Sequence, residues 1–221
     1  MKYNVVALLI LFILNSVIYG SFAAQKIDCT SANIISEDSI IKDIPVTKNG
    51  SLPSYYKFVK KNEGKLNLSN LENGVDSIEI RIWFGYSAND TAQAIIIKNI
   101  RGNWESKILT LEDKRLGIGD ANPVRIINSK KITPKNGWNN FIESLFKLKI
   151  NTLPDKRYIS NYPDIIDGSG VIFEIASPKS YRIYNYVEPG MYQNMIPQAK
   201  LVSKIILALE TELDFTPIKN L

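Results

Sequence analysis

The alternation of apolar and polar positions changes rhythm along this chain, and the changes divide it. Val5 to Leu14 is an unbroken apolar run behind Lys2, extended by Val17 and Ile18. The run is shorter than the roughly 20 apolar residues that a membrane-spanning helix needs. Ser21 and Ala23 then supply the small residues of a signal-peptidase site. Residues 1–23 read as a secretory signal peptide. The protein is expected to be extracytoplasmic, periplasmic or secreted, with no stable membrane span after cleavage. Residues 24–76 have weak periodicity and many Ser, Asn, Lys and Gly, and read as a loosely organised lead-in. One short element is expected near Tyr55 to Val59, its rings turned inward and its lysines solvated.

From Ser77 the pattern sharpens. Ile78, Ile80, Ile82, Phe84 and Tyr86 alternate with Glu79, Arg81, Trp83 and Gly85, which predicts a half-buried strand. Ala92 to Asn99 predicts a second strand, Trp104 to Leu111 a third and Val124 to Ile132 a fourth, with turn chemistry at Ile100-Arg101-Gly102-Asn103. Trp138, Phe141, Ile142, Leu145 and Phe146 recur at helical spacing. After a polar loop from Asn151 to Gly170, Val171 to Ala176 and Tyr181 to Val187 predict a hairpin about Pro178-Lys179. A last helix opens near Pro197, with Leu201, Val202, Ile205, Ile206, Leu209 and Leu213 as its apolar stripe. Strands grouped in runs predict an α+β domain over 77–215. Its expected core is an antiparallel sheet of about six strands with the helices packed on one face.

Several of these segments together resemble a known family. The Trp138 helix, Leu153-Pro154-Asp155, Asp167-Gly168, Glu174 and Tyr181-Arg182-Ile183-Tyr184 are similar to a family of uncharacterised exported bacterial proteins. Its members combine a signal peptide, a β-rich middle, a Trp-containing helix, a Leu-Pro turn, an Asp-Gly loop and a Tyr-Arg-x-Tyr strand. The resemblance covers roughly residues 78–212. It implies export and the fold class, and it carries no activity.

Composition then narrows the chemistry. The 221 residues carry a net charge of +5, and the lysines and arginines are spread out rather than clustered, so no nucleic-acid partner is expected. The chain has no histidine and one cysteine, Cys29. That inventory removes imidazole-based triads and histidine or cysteine zinc sites, along with any internal disulfide. Cys29 does not directly follow a small-residue box, so it is not a lipidation site, and it is left as a free or intermolecular thiol. The glycine pair Gly117 and Gly119 fits neither a dinucleotide nor a P-loop pattern. Three Ser-x-x-Lys matches, among them Ser144 to Lys147, lack the partner motifs of serine–lysine enzymes. Neither a cofactor nor a metal is expected, because the Asn161 to Gly168 segment departs from calcium-loop spacing.

Carboxylate chemistry survives this elimination. Asp155, Asp164, Asp167 and Glu174 lie close in sequence, and a glycosidase needs two such groups about 5–9.5 Å apart. The competing reading makes Asp164 and Asp167 turn residues and pairs Glu174 with Arg182 across the hairpin. With a two-residue hairpin loop, Phe173 faces Tyr184 and Val171 faces Tyr186, giving an aromatic face with Arg182 at its edge. The preferred expectation is a non-enzymatic binding or interaction module of the bacterial cell envelope. Its ligand residues would be Arg182, Tyr184 and Tyr186, and its partner an envelope protein or a glycan. The alternative is a hydrolase of envelope polysaccharide using two of Asp164, Asp167 and Glu174, with Asp155 as a further candidate.

Overall fold

The computed structural model describes residues 39–85, 91–112, 125–165 and 168–218. The expected leader, Cys29, Tyr86, the Gly117–Gly119 loop and Asp167 lie outside them. Among the described residues no helix is long and apolar enough to cross a membrane.

The fold is α+β. Seven strands form one mixed sheet: β1 (Ile41–Asp43), β2 (Glu79–Phe84), β3 (Thr91–Ile100), β4 (Asn103–Glu112), β5 (Arg125–Ile132), β6 (Gly170–Ser177) and β7 (Ser180–Val187). Their spatial order is β1-β7-β6-β2-β3-β4-β5. All neighbours are antiparallel except β1 and β7, where Ile41 to Asp43 run parallel to Ser180 to Arg182. Arg101 and Gly102 join β3 to β4 with φ of 52° and 88°. Two left-handed residues match the twist of a tight hairpin, and glycine takes the more extreme position at no steric cost. Pro178 and Lys179 join β6 to β7 in the two-residue register, with Phe173 opposite Tyr184 and Val171 opposite Tyr186.

The helices are α1 (Ser54–Lys65), α2 (Trp138–Lys147), α3 (Pro189–Tyr192) and α4 (Pro197–Leu213). They cover both faces of the sheet, not one. On the first face, Phe141 and Leu145 of α2 and Val202, Ile205 and Leu209 of α4 pack on Ile80, Ile82, Phe173 and Tyr184. On the second face, Tyr55 and Val59 of α1 pack with Leu71 on Trp83, Ile172, Tyr181 and Ile183. The segment read as a loose lead-in therefore supplies, from residue 39 onward, an edge strand and the helical cover of one face. Double cover changes the character of β2. All six of its residues are buried, so it is not half-buried.

Candidate functional site

Of the β2 side chains that face α1, Glu79 and Arg81 are charged, and they are matched by charge. Arg81 donates from Nη1 to Glu63 Oε1 at 2.7 Å, from Nε to Glu79 Oε1 at 2.7 Å, and from Nη2 to the Ser69 carbonyl and hydroxyl at 2.9 Å. Glu79 also meets Lys98 at 3.2 Å. Lys60 of α1 lies 2.8 Å from Glu63, 3.0 Å from Glu72 and 3.8 Å from Glu174, with its ammonium over the Tyr181 ring. Glu174 is fully buried and accepts from Trp83 Nε1 at 2.8 Å and the Tyr181 hydroxyl at 2.9 Å. Burial, with the neighbouring Glu63 charge, pushes its carboxyl up to about 7. This layer docks a polar helix on a sheet. It has the groups of a catalytic centre, but Glu174 is closed off from solvent.

Glu174 stands opposite Ile183, and Arg182 stands opposite Ile175. The expected Glu174–Arg182 pair is therefore absent, because the two side chains point to opposite faces of the hairpin. Arg182 binds the carbonyls of Asn151 and Leu153, the latter at 2.7 Å, and meets Asp43 at 3.0 Å. It fastens the loop after α2 to the edge of the sheet. Tyr184 and Tyr186 are buried in the core, and their hydroxyls donate to the carbonyls of Ile150 at 2.6 Å and Pro154 at 2.7 Å. The aromatic face read as a candidate ligand surface is thus interior. Tyr184→Phe is expected to cost about 1–2 kcal/mol by stranding the Ile150 carbonyl. Urea unfolding measures this, and an unchanged midpoint would show that the hydroxyl carries no bond.

The loop pinned by these residues borders an open cleft. Ile150 and Leu153 anchor it in the core. Asp155 is buried and accepts from the Arg157 amide at 3.0 Å, which starts a short 3-10 turn over Lys156–Tyr158. It also takes the Asn185 amide at 2.9 Å, on the stretch of β7 beyond its pairing with β1, and the Tyr55 hydroxyl at 2.6 Å. Arg157 closes the knot, with Nε 2.8 Å from Asp155 and Nη2 2.7 Å from the Tyr55 hydroxyl. Four donors thus share the two carboxylate oxygens of Asp155.

A cleft of about 1010 Å³ opens beside this knot, between the turn at residues 46–49 and the segment 156–164. The first wall is stiffened by Thr47, whose amide bonds the Ser51 carbonyl at 2.8 Å. The second carries Tyr158, which is 60% exposed, and Tyr162, whose hydroxyl donates to the Val187 carbonyl at 2.7 Å. Lys156 lies over the Tyr162 ring, 3.9 Å from Asp164, and burial lowers its ammonium below the usual lysine range. Of the three described acids from the sequence analysis, only Asp164 lines this cleft. Glu174 lies under α1 and Asp155 inside the knot. Lys48, Lys156 and Tyr158 were not singled out from the sequence. The available signal was the pair of tyrosines in the polar loop after Asp155. Among the described residues no three acidic or thiol side chains are placed to share a metal ion.

No family model, no curated protein and no solved structure matches this chain.

Proposed function

We propose that this protein is an exported, non-enzymatic binding module of the bacterial cell envelope, and that its ligand, a glycan, sits in the cleft between residues 46–49 and 156–164. Kinship with the exported bacterial proteins it resembles is part of the same proposal. The observation that carries it is the cleft lining. The exposed Tyr158 lines the cleft together with Lys156, Asp164, Thr47 and Asn49. Saccharides present an apolar ring face and a rim of hydroxyls, and an amphipathic aromatic with donors and acceptors around it suits both. The hydrolase reading finds less support, because the described acids do not converge: one lines the cleft and two are buried elsewhere.

The test is binding of the purified secreted chain to immobilised envelope polysaccharide, with Tyr158→Ala as the variant. Binding should weaken about tenfold, the equivalent of one lost ring contact. Stability should change by less than about 0.5 kcal/mol, as for other exposed positions. Full binding by the variant would move the ligand elsewhere. Release of reducing ends from the polysaccharide would make the chain an enzyme.

A further inference from the structure

Where β2 stops and β6 begins, α3 and α4 border an apolar groove of about 430 Å³. The buried stripe of α4 runs through Val202, Ile205, Leu209 and Leu213. Ser203, Ile206, Leu207 and Glu210 follow at i, i+3, i+4 and i+7, which places them on a second face of the same helix, and all four line the groove. Its floor is the cross-strand pair Phe84 and Val171, both buried in the core. Met191 of α3 lines it as well. Met191 is 67% exposed and Leu207 59%, and Met195, just after α3, is 70% exposed. The charge in the groove is of one sign. Glu188, between β7 and α3, and Glu210 line it, and no described lysine or arginine does, although α4 carries Lys200 and Lys204. Glu188 accepts the Ser169 amide, and among the described residues neither glutamate is in an ion pair.

We infer that this groove is a docking surface for a basic amphipathic helix of a partner protein. Met191, Ile206 and Leu207 take the apolar side chains of that helix, and Glu188 and Glu210 take its flanking lysines or arginines. Methionine suits such a surface, because its unbranched thioether chain adapts to irregular apolar partners. Strand addition is not open here, since β6 is already paired on both sides, with β7 and β2. Recognition therefore runs through side chains, as in other complexes that lay a helix into a groove. The charge argues against the other occupants. Two carboxylates repel an anionic membrane surface, and a two-fold pairing of this groove with itself would bring four carboxylates together without a cation lining it. On a chain whose net charge is +5, a local acidic rim also directs a basic partner to this groove rather than to the surface at large. None of this rests on the glycan cleft.

The experiment titrates the full secreted chain into a fluorescently labelled Leu/Lys peptide of about 15 residues, long enough to form a helix with one apolar and one basic face. Two controls keep the same pattern, one with Glu in place of Lys and one with Ser in place of Leu. Fluorescence anisotropy should show saturable one-to-one binding of the Leu/Lys peptide, weaker at higher salt, and no binding of either control. Met191→Gln with Leu207→Gln should weaken binding by about tenfold or more, as for two lost apolar anchors. Both side chains are exposed, so the double variant should keep its circular dichroism and its melting temperature. Glu210→Gln should weaken binding about threefold and flatten its salt dependence. Tyr158→Ala, in the glycan cleft, should leave peptide binding unchanged, so the two readings fail separately. Absence of saturable binding would overturn the inference, as would full affinity in the folded double variant or a loss of affinity in Tyr158→Ala. Equal binding of the Leu/Glu peptide would overturn the role of charge, and equal binding of the Ser/Lys peptide the role of the apolar floor. A native dimer that the double variant turns into a monomer would give the groove to a second copy of the chain. Binding to phosphatidylglycerol vesicles that the double variant loses would give it to a membrane surface.

Discussion

Replacing Arg81 with methionine is expected to destabilise the protein by about 3–5 kcal/mol, the range for removing one partner of a buried ion pair. The guanidinium is fully buried and makes four hydrogen bonds, two of them to the carboxylates of Glu63 and Glu79. Methionine fills much of the same space, so the loss is electrostatic rather than a cavity. Lys60 still reaches Glu63 at 2.8 Å and Lys98 still reaches Glu79 at 3.2 Å, which places the expected loss at the lower end. Adding Glu63→Gln to Arg81→Met should recover part of it, since one stranded charge is then gone. Equilibrium urea unfolding of the single and double variants measures both effects. A single-variant loss below about 1 kcal/mol would mean that water reaches this layer and that α1 is not clamped by it.

The second large effect is a pH dependence centred on Glu174. Its folded-state carboxyl is raised, first by burial and then by the Glu63 charge, to about 7 from the ordinary 4.5. Arg81 and Lys60 oppose the shift, as does the Trp83 hydrogen bond. Between those two values the folded protein holds a proton that the unfolded chain has lost. The stability this group contributes is therefore complete below about pH 4.5 and is lost as pH rises to about 7. The window corresponds to a change on the order of 3 kcal/mol. Glu72 works in the opposite sense. Hydrogen bonds from Tyr56 and Lys60 outweigh its own burial and hold its carboxyl low, so its contribution is lost on acidification. The informative quantity is consequently the difference between the native chain and Glu174→Gln, measured by denaturant unfolding from pH 5 to 8. The native protein should lose stability relative to the variant across that range. Parallel curves would show that Glu174 titrates normally.

The strands and helices beyond Ser77 were legible because period and punctuation agreed. The two-residue loop at Pro178-Lys179 fixed which β6 side chain faces which on β7, and with it the pairing of Phe173 with Tyr184. What the loop could not reveal was that this aromatic face lies inside. A row of Tyr, Phe and Arg reads alike as a core face and as a ligand platform, and α2 with α4 decides between them only in three dimensions. The second face of β2 was misread for a related reason. Glu79 and Arg81 look solvated in an alternating pattern, and α1, with the sequence SYYKFVKKNEGK, looks too polar to bury. Each makes the other burial-competent, because Glu63 and Lys60 on the helix carry the charges that Arg81 and Glu174 require. No one-dimensional pattern of apolar residues registers such an ionic match. β1 left no trace either. Three residues pair through their backbone, and the sequence Ile-Lys-Asp has no period to detect. The candidate site was legible only as a polar loop containing Asp164. Its other wall, at residues 46–49, comes from a segment more than a hundred positions earlier.

The order of the strands also sets the order in which the protein can fold. β2 sits between β3, which follows it closely, and β6, which is made much later, and β1 must wait for β7. A nascent chain that has reached only β5 holds a four-stranded meander whose innermost strand, β2, lacks its neighbour on one side. Ile82 and Trp83 then have no Phe173 and Ile172 alongside them, although in the finished sheet these are directly paired. Pairings between such distant segments form slowly, because loop-closure entropy is lost before any contact compensates for it. Neither β1 nor β2 can complete its pairing until the C-terminal hairpin β6–β7 is available to lie between them.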